Sequence, residues 1–178
     1  MKRFTLTMLL SALVFVNSAV PLVAESRPDQ SSLVQRIRHE LVMLPFYGVF
    51  DNLRFRLEGT SVILAGQVSR PAIKTDAEQV LQRLEGVGEV INRIEVLPPS
   101  PDDDRIRLFL YRALSGNNVL GRYLLTTVPS IHIIVRRGDV VLEGVVGSES
   151  EKVLAGVVAR GIEGVHSVTN HLRVDGSA

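Results

Sequence analysis

Apolar and polar positions change period several times along the chain, and the changes mark its elements. Residues 53–57, LRFRL, alternate apolar with charged side chains, the period of a half-buried strand, and 131–135, IHIIV, keep the same apolar parity. Each run leads into a turn signal, EGT at 58–60 and RGD at 137–139, and then a second apolar run, which predicts two β-hairpins. The period then lengthens. Ile73, Ala77, Val80, Leu81 and Leu84 fall on one helical face, as do Ala155, Val158, Ala159 and Ile162 further on. Ser69 with Pro71 predicts the first helix start, and Ser148 with Glu151 three residues on is a capping-box signature for the second. Both helices are predicted to end at LEGVG and IEGVH, where Gly86 and Gly164 suit a left-handed C-terminal cap. Third strands follow, INRIEVL and TNHLRVD, and a right-handed crossover would set each parallel to the second strand of its hairpin. A further helix is predicted ahead of each hairpin, with Leu33, Val34, Ile37, Leu41 and Leu44 on its inner face in one place and Ile106, Phe109, Leu110, Ala113 and Leu114 in the other.

The second half repeats the first. Setting 53–97 over 131–175 needs no gap and gives 13 identities in 45 positions, among them Val62 with Val140, Gly66 with Gly144, and Asn92 with Asn170. The expected fold class is therefore α+β, two tandem αββαβ modules, each a small three-stranded mixed sheet packed on two helices. The first module is placed at 32–97, a Pro-rich linker at 98–103 and the second module at 104–175. A unit of this size buries only about 60% of its chain surface alone. Docking of the two modules on each other is expected.

VxLxGxV, then about twenty residues, then EGVxxVxN and an apolar strand resembles the BON domain of bacterial envelope proteins, and the pattern occurs twice between residues 32 and 175. The resemblance implies an exported protein of the osmotic-stress and envelope-maintenance type, whose modules bind phospholipid surfaces and sometimes protein partners. Envelope proteins with two such domains often carry a lipoprotein cysteine, and this chain departs from them in having none.

Composition and charge narrow the partners. Lys2 and Arg3 precede an apolar run from Leu6 to Val16, and small residues follow at Ala19 and Ala24, the layout of a secretory signal peptide over 1–24. Asn17, Ser18 and Pro21 interrupt the span of about 20 apolar residues that a transmembrane anchor needs, which favours cleavage after Ala24 and a soluble protein in the periplasm or another exported compartment. Cleavage would change 20 basic and 19 acidic residues to 18 and 19. That balance argues against a nucleic-acid partner, which requires clustered cations.

Candidate chemistry is sparse, and the chain is expected to be no enzyme and to hold no cofactor or metal. His39, His132, His166 and His171 are scattered, and Asp102, Asp103 and Asp104 precede a helix without an EF-hand pattern, so helix capping is the favoured reading. Gly66, Gly86, Gly144 and Gly164 lack phosphate-loop spacing and read as structural, and Asn92 and Asn170 as local backbone hydrogen-bonders.

The helix over 104–114, DRIRLFLYRAL, carries the strongest functional expectation. With its apolar residues inward, Arg105, Arg107, Leu108, Tyr111 and Arg112 form an outer face mixing three cations with an aliphatic and an aromatic side chain. Such a face suits the surface of an anionic phospholipid membrane. The competing reading packs it against the first module. A second candidate is the pair of loops carrying Phe46 and Tyr47, and Tyr123, Leu124 and Leu125, which either close the core edge or form a lipid or partner patch. Two functions follow: peripheral lipid association supporting envelope integrity, or an adaptor for an envelope protein partner, docked at an exposed strand edge or the aromatic loops.

Overall fold

The computed structural model describes residues 27–176. The predicted signal peptide lies outside the described residues. Two αββαβ modules follow one another. The first comprises α1 (Arg27–Val42), β1 (Asn52–Glu58), β2 (Ser61–Val68), α2 (Pro71–Gln82) and β3 (Val90–Val96). The second comprises α3 (Pro101–Ser115), β4 (Ile131–Arg136), β5 (Asp139–Val146), α4 (Glu149–Arg160), β6 (Ser167–Asn170) and β7 (Arg173–Val174), with a short 3-10 turn at Gly121–Tyr123. Helix α3 begins inside the segment expected as linker, because Ser100 accepts a bond from the Asp103 N–H at 3.2 Å and Pro101 suits the first turn.

Each sheet is mixed, β1-β2-β3 in the first module and β4-β5-β6 in the second, with β7 also on β5. The third strand of the second module is thus split in two. The registers repeat nonetheless: Val62 pairs with Val90 and Val68 with Val96, and correspondingly Val140 with Val168 and Val146 with Val174. Val62, Leu64 and Val68 are fully buried beneath α1 and α2, and Val140, Leu142 and Val146 beneath α3 and α4.

The repeated glycine of the hairpin has a steric cause. Gly66 and Gly144 take φ of +117° and +126°, and a Cβ there would lie 1.9 Å from the Asn52 carbonyl oxygen and 2.0 Å from that of Ser130. No other residue fits. Gly86 and Gly164 differ from the expected helix caps. They sit beyond the helix ends, as the positive-φ third residues of turns closed by Val87 N–H to Leu84 O and Val165 N–H to Ile162 O. The two asparagines reach further than local turns. Asn92 donates to Lys74 O at 3.0 Å and Asn170 to Lys152 O at 2.7 Å, while their side-chain oxygens accept from Ile94 N–H and Leu172 N–H. Each amide therefore ties its third strand to the crossover helix.

The modules dock. The Ile133 N–H, on the outer edge of β4, donates to Val49 O at 2.7 Å, Tyr47 stacks obliquely against His132, and Phe50 meets Tyr111 edge to face. Arg136 pairs with Glu95 at 2.8 Å, and Arg54 faces Glu143 at 3.9 Å. The first module contributes its 47–50 segment and β1 and β3 side chains, and the second contributes β4, β5 and Tyr111 of α3.

Candidate functional site

Helix α3 is held to its sheet by charge as well as by apolar packing. Asp103 is buried and accepts from Arg137 N–H and Gly138 N–H, both at 2.9 Å, which fastens the first turn of α3 to the β4–β5 hairpin. Arg107 is also buried, bonded to Asp104 and, at 2.6 Å, to Val135 O. The expected outer position of Arg107 is corrected accordingly. Asp103, Ile106, Leu110 and Leu114 set the centre of the inner arc, and at about 100° per residue Arg107 falls just beside that centre. Tyr111 also turns partly inward, onto Phe50 and the second core.

The same rotation brings out a residue expected inside. Phe109 is 40% exposed and Leu108 43%, and the exposed Arg105 and Arg112 lie on the same side of the helix. The face is therefore Arg105, Leu108, Phe109 and Arg112, two cations around two large apolar side chains. Arg105 pairs with Asp102 at 2.7 Å, in a solvated contact near the helix start. The four outer residues lie apart from the contacts that join the modules. On α4, in the same helical layer, Val153 and Val157 are each 54% exposed one turn apart.

The loop candidates separate. Leu124 is buried in the second core. Tyr123 is a clamp: its oxygen accepts from Gly147 N–H at 2.7 Å and from Arg122, and its hydroxyl donates to Glu151 at 3.0 Å. Burial alone would raise the Glu151 carboxyl, but Tyr123, Ser148 and Arg122 outweigh it and hold that carboxyl below its usual range. The first module meets the equivalent backbone group by another route, with Asp51 accepting from Ser69 N–H at 2.6 Å and Ser69 Oγ at 2.9 Å. Ser69 is thus held by Asp51 and leaves Arg70 as the uncapped start of α2. Tyr47 lies at the module junction, and burial pushes its hydroxyl up to about 12. Burial lowers the neighbouring His132. Phe46 and Leu125 alone stand well out, each 68% exposed, with the Arg70 guanidinium 4.9 Å from the Phe46 ring centre.

The family model for the BON domain matches residues 32–98 and again 102–176. The chain belongs to the BON domain family. BON domains are associated with phospholipid binding and with envelope proteins, generally periplasmic or envelope-associated ones. No curated protein matches this BON chain. Among solved structures it is similar to the C-terminal domain of CdsD, the structural protein of the type III secretion system of Chlamydia trachomatis, at 14% identity and a TM-score of 0.30, covering 80% of this chain and 96% of that one. A second CdsD structure from the same organism gives 15% identity and a TM-score of 0.31, over 79% and 91% of the two chains. Among the described residues, no helix is long and apolar enough to cross a membrane.

The burial of Asp51, Asp103 and Arg107 escaped the sequence reading, which treats charge as surface, whereas Glu151 takes the place the capping-box pattern gives it, with its N–H on Ser148 Oγ at 3.3 Å. The one available signal was spacing. Asp103 stands three residues before Ile106 and Arg107 three before Leu110, in step with the apolar arc.

Proposed function

We propose that this protein is a non-catalytic, exported BON-domain protein that associates peripherally with anionic phospholipid and supports envelope integrity under osmotic stress. The observation that carries the reading is the exposed face of α3, with Leu108 and Phe109 between Arg105 and Arg112. The apolar pair can enter the headgroup boundary while the guanidinium groups stay at phosphate level, the arrangement of an interfacial helix. Each arginine contributes about 1 kcal/mol at an anionic surface. The exposed fractions of Leu108 and Phe109 add roughly 0.6–1.3 kcal/mol each, from about 1.5–3 kcal/mol for a fully buried side chain. The exposed Asp102 and Asp104 oppose this at the first turn. Binding is therefore weak, reversible and salt-sensitive. The non-catalytic reading is supported by the use of the buried carboxylates, since Asp51, Asp103 and Glu151 all hold turns or helix starts.

Flotation of the purified protein with phosphatidylglycerol and with phosphatidylcholine vesicles, at low and at physiological salt, tests the proposal. Recovery with the anionic vesicles that falls as salt rises supports it. Equal recovery with both lipids, or none with either, rejects it.

A further inference from the structure

A groove of about 890 Å³ runs beside β1, between α1 and the second module. β1 is an edge strand, and its hydrogen-bonding phase follows from its neighbours. The Val62 N–H donates to Glu89 O and the Val68 O accepts from Leu97 N–H, both at 2.8 Å, so even-numbered positions of β2 bond toward β3. Phe55 and Leu57, opposite Leu64 and Val62, therefore turn their N–H and C=O groups outward along the groove. The Tyr47 hydroxyl meets the Leu53 backbone at one end of this edge.

The second module shows how such an edge is filled. Ile133 is the counterpart of Phe55 in the repeat, and its outward N–H is taken by Val49 O from the first module. No counterpart segment reaches Phe55 among the described residues. Asn52 adds an independent sign. It lines the same groove, is 93% buried, and its side-chain nitrogen has no hydrogen-bond partner.

We propose that the free edge of β1 binds an extended peptide in which apolar and acidic side chains alternate, adding it as a fourth strand to the sheet of the first module. Side chains of an added strand point alternately to its two faces. The α1 wall of the groove offers Val34, Leu41 and Val42, with Gln30 and Arg38 beside them. The opposite side carries Arg54 and Arg173, with Glu143 the one carboxylate lining the groove among the described residues and already engaged by His171 at 3.1 Å and Arg54 at 3.9 Å. Apolar residues fit the first wall and carboxylates the second. The volume lies within the roughly 300–1,000 Å³ of ordinary ligand sites. This site is separate from the α3 face and does not depend on lipid binding.

The test titrates the protein with a blocked peptide of alternating valine and glutamate, with the lysine version and with a version N-methylated on alternate amides as controls. Amide hydrogen exchange at Phe55 and Leu57 is followed by NMR, beside affinity by fluorescence polarisation. The glutamate peptide is expected to slow both amides at least tenfold, and Arg54→Glu with Arg173→Glu to weaken its affinity at least tenfold in a chain whose spectrum shows it folded. The proposal is overturned if the glutamate peptide leaves both amides unprotected at millimolar concentration, or if the lysine or N-methylated peptide binds equally well. Protection of the two amides by anionic vesicles in place of the peptide overturns it as well.

Discussion

Arg107 and Arg112 lie five residues apart on one helix and look alike in sequence, yet the fold gives them opposite duties. Replacing Arg107 with methionine keeps most of the packed stem and removes the guanidinium from a site where it is 5% exposed. Its partner Asp104 is 68% exposed and returns to water without penalty, so the loss falls on the bond to Val135 O. A hydrogen bond to a charged group contributes about 1.5–3 kcal/mol, and removing the partnerless Nε returns part of that. The net cost is about 1–2 kcal/mol, a fall in Tm of roughly 2–8 °C. Vesicle binding of the folded variant should be unchanged. Arg112→Met should do the reverse, shifting stability by no more than about 0.5 kcal/mol and lowering partition into anionic vesicles about fivefold. Thermal unfolding by circular dichroism and vesicle flotation on the same preparations read both effects. If Arg107→Met keeps its Tm but loses vesicle binding, Arg107 faces the membrane and the assigned rotation of α3 is wrong.

Two further outcomes follow from the geometry. Gly66→Ala and Gly144→Ala each force a Cβ to within about 2 Å of a backbone carbonyl oxygen at positive φ, and each should cost at least about 3 kcal/mol; a denaturant midpoint within error of the parent would show that the hairpin relaxes freely. The junction pair should narrow the pH range of stability from both sides. Tyr47 is raised from 10.0 to about 12, so its unfolded form ionises first and stability falls as pH climbs from 10.0 toward 12. His132 is lowered from 6.5, so the unfolded chain takes up the proton first and stability falls as pH drops below 6.5. Tyr47→Phe should remove the alkaline loss in urea titrations and leave the acid one, whereas an unaltered alkaline loss would place its origin elsewhere.

The sequence made the modules legible because their cores obey simple periods. Val62, Leu64 and Val68 alternate as a buried strand must, and their counterparts do so at a constant offset, so the order of elements and the parallel pairing were visible from pattern alone. The site was legible only in outline. Its helix was found, but its rotation was set by Asp103 and Arg107, charged residues that enter the core because backbone groups of the β4–β5 hairpin and Val135 receive them. Apolar periodicity is blind to such partners. For the same reason Phe109 was expected inside, and the choice for Tyr123 between closing the core edge and forming a surface patch left out the polar clamp in which its hydroxyl bridges Glu151 and Gly147.

The contact of Val49 with Ile133 also bears on how the chain comes into being. An uncovered strand edge is a template for another chain, and β4 is apolar, with Ile131, Ile133, Ile134 and Val135 all buried. Synthesis delivers the N-terminal part first. Residues 47–50 are therefore present before β4 is made, so the segment that covers this edge precedes it in the chain. The order of the two repeats is then not interchangeable: a chain with the modules swapped would meet its most aggregation-prone strand before its cover existed.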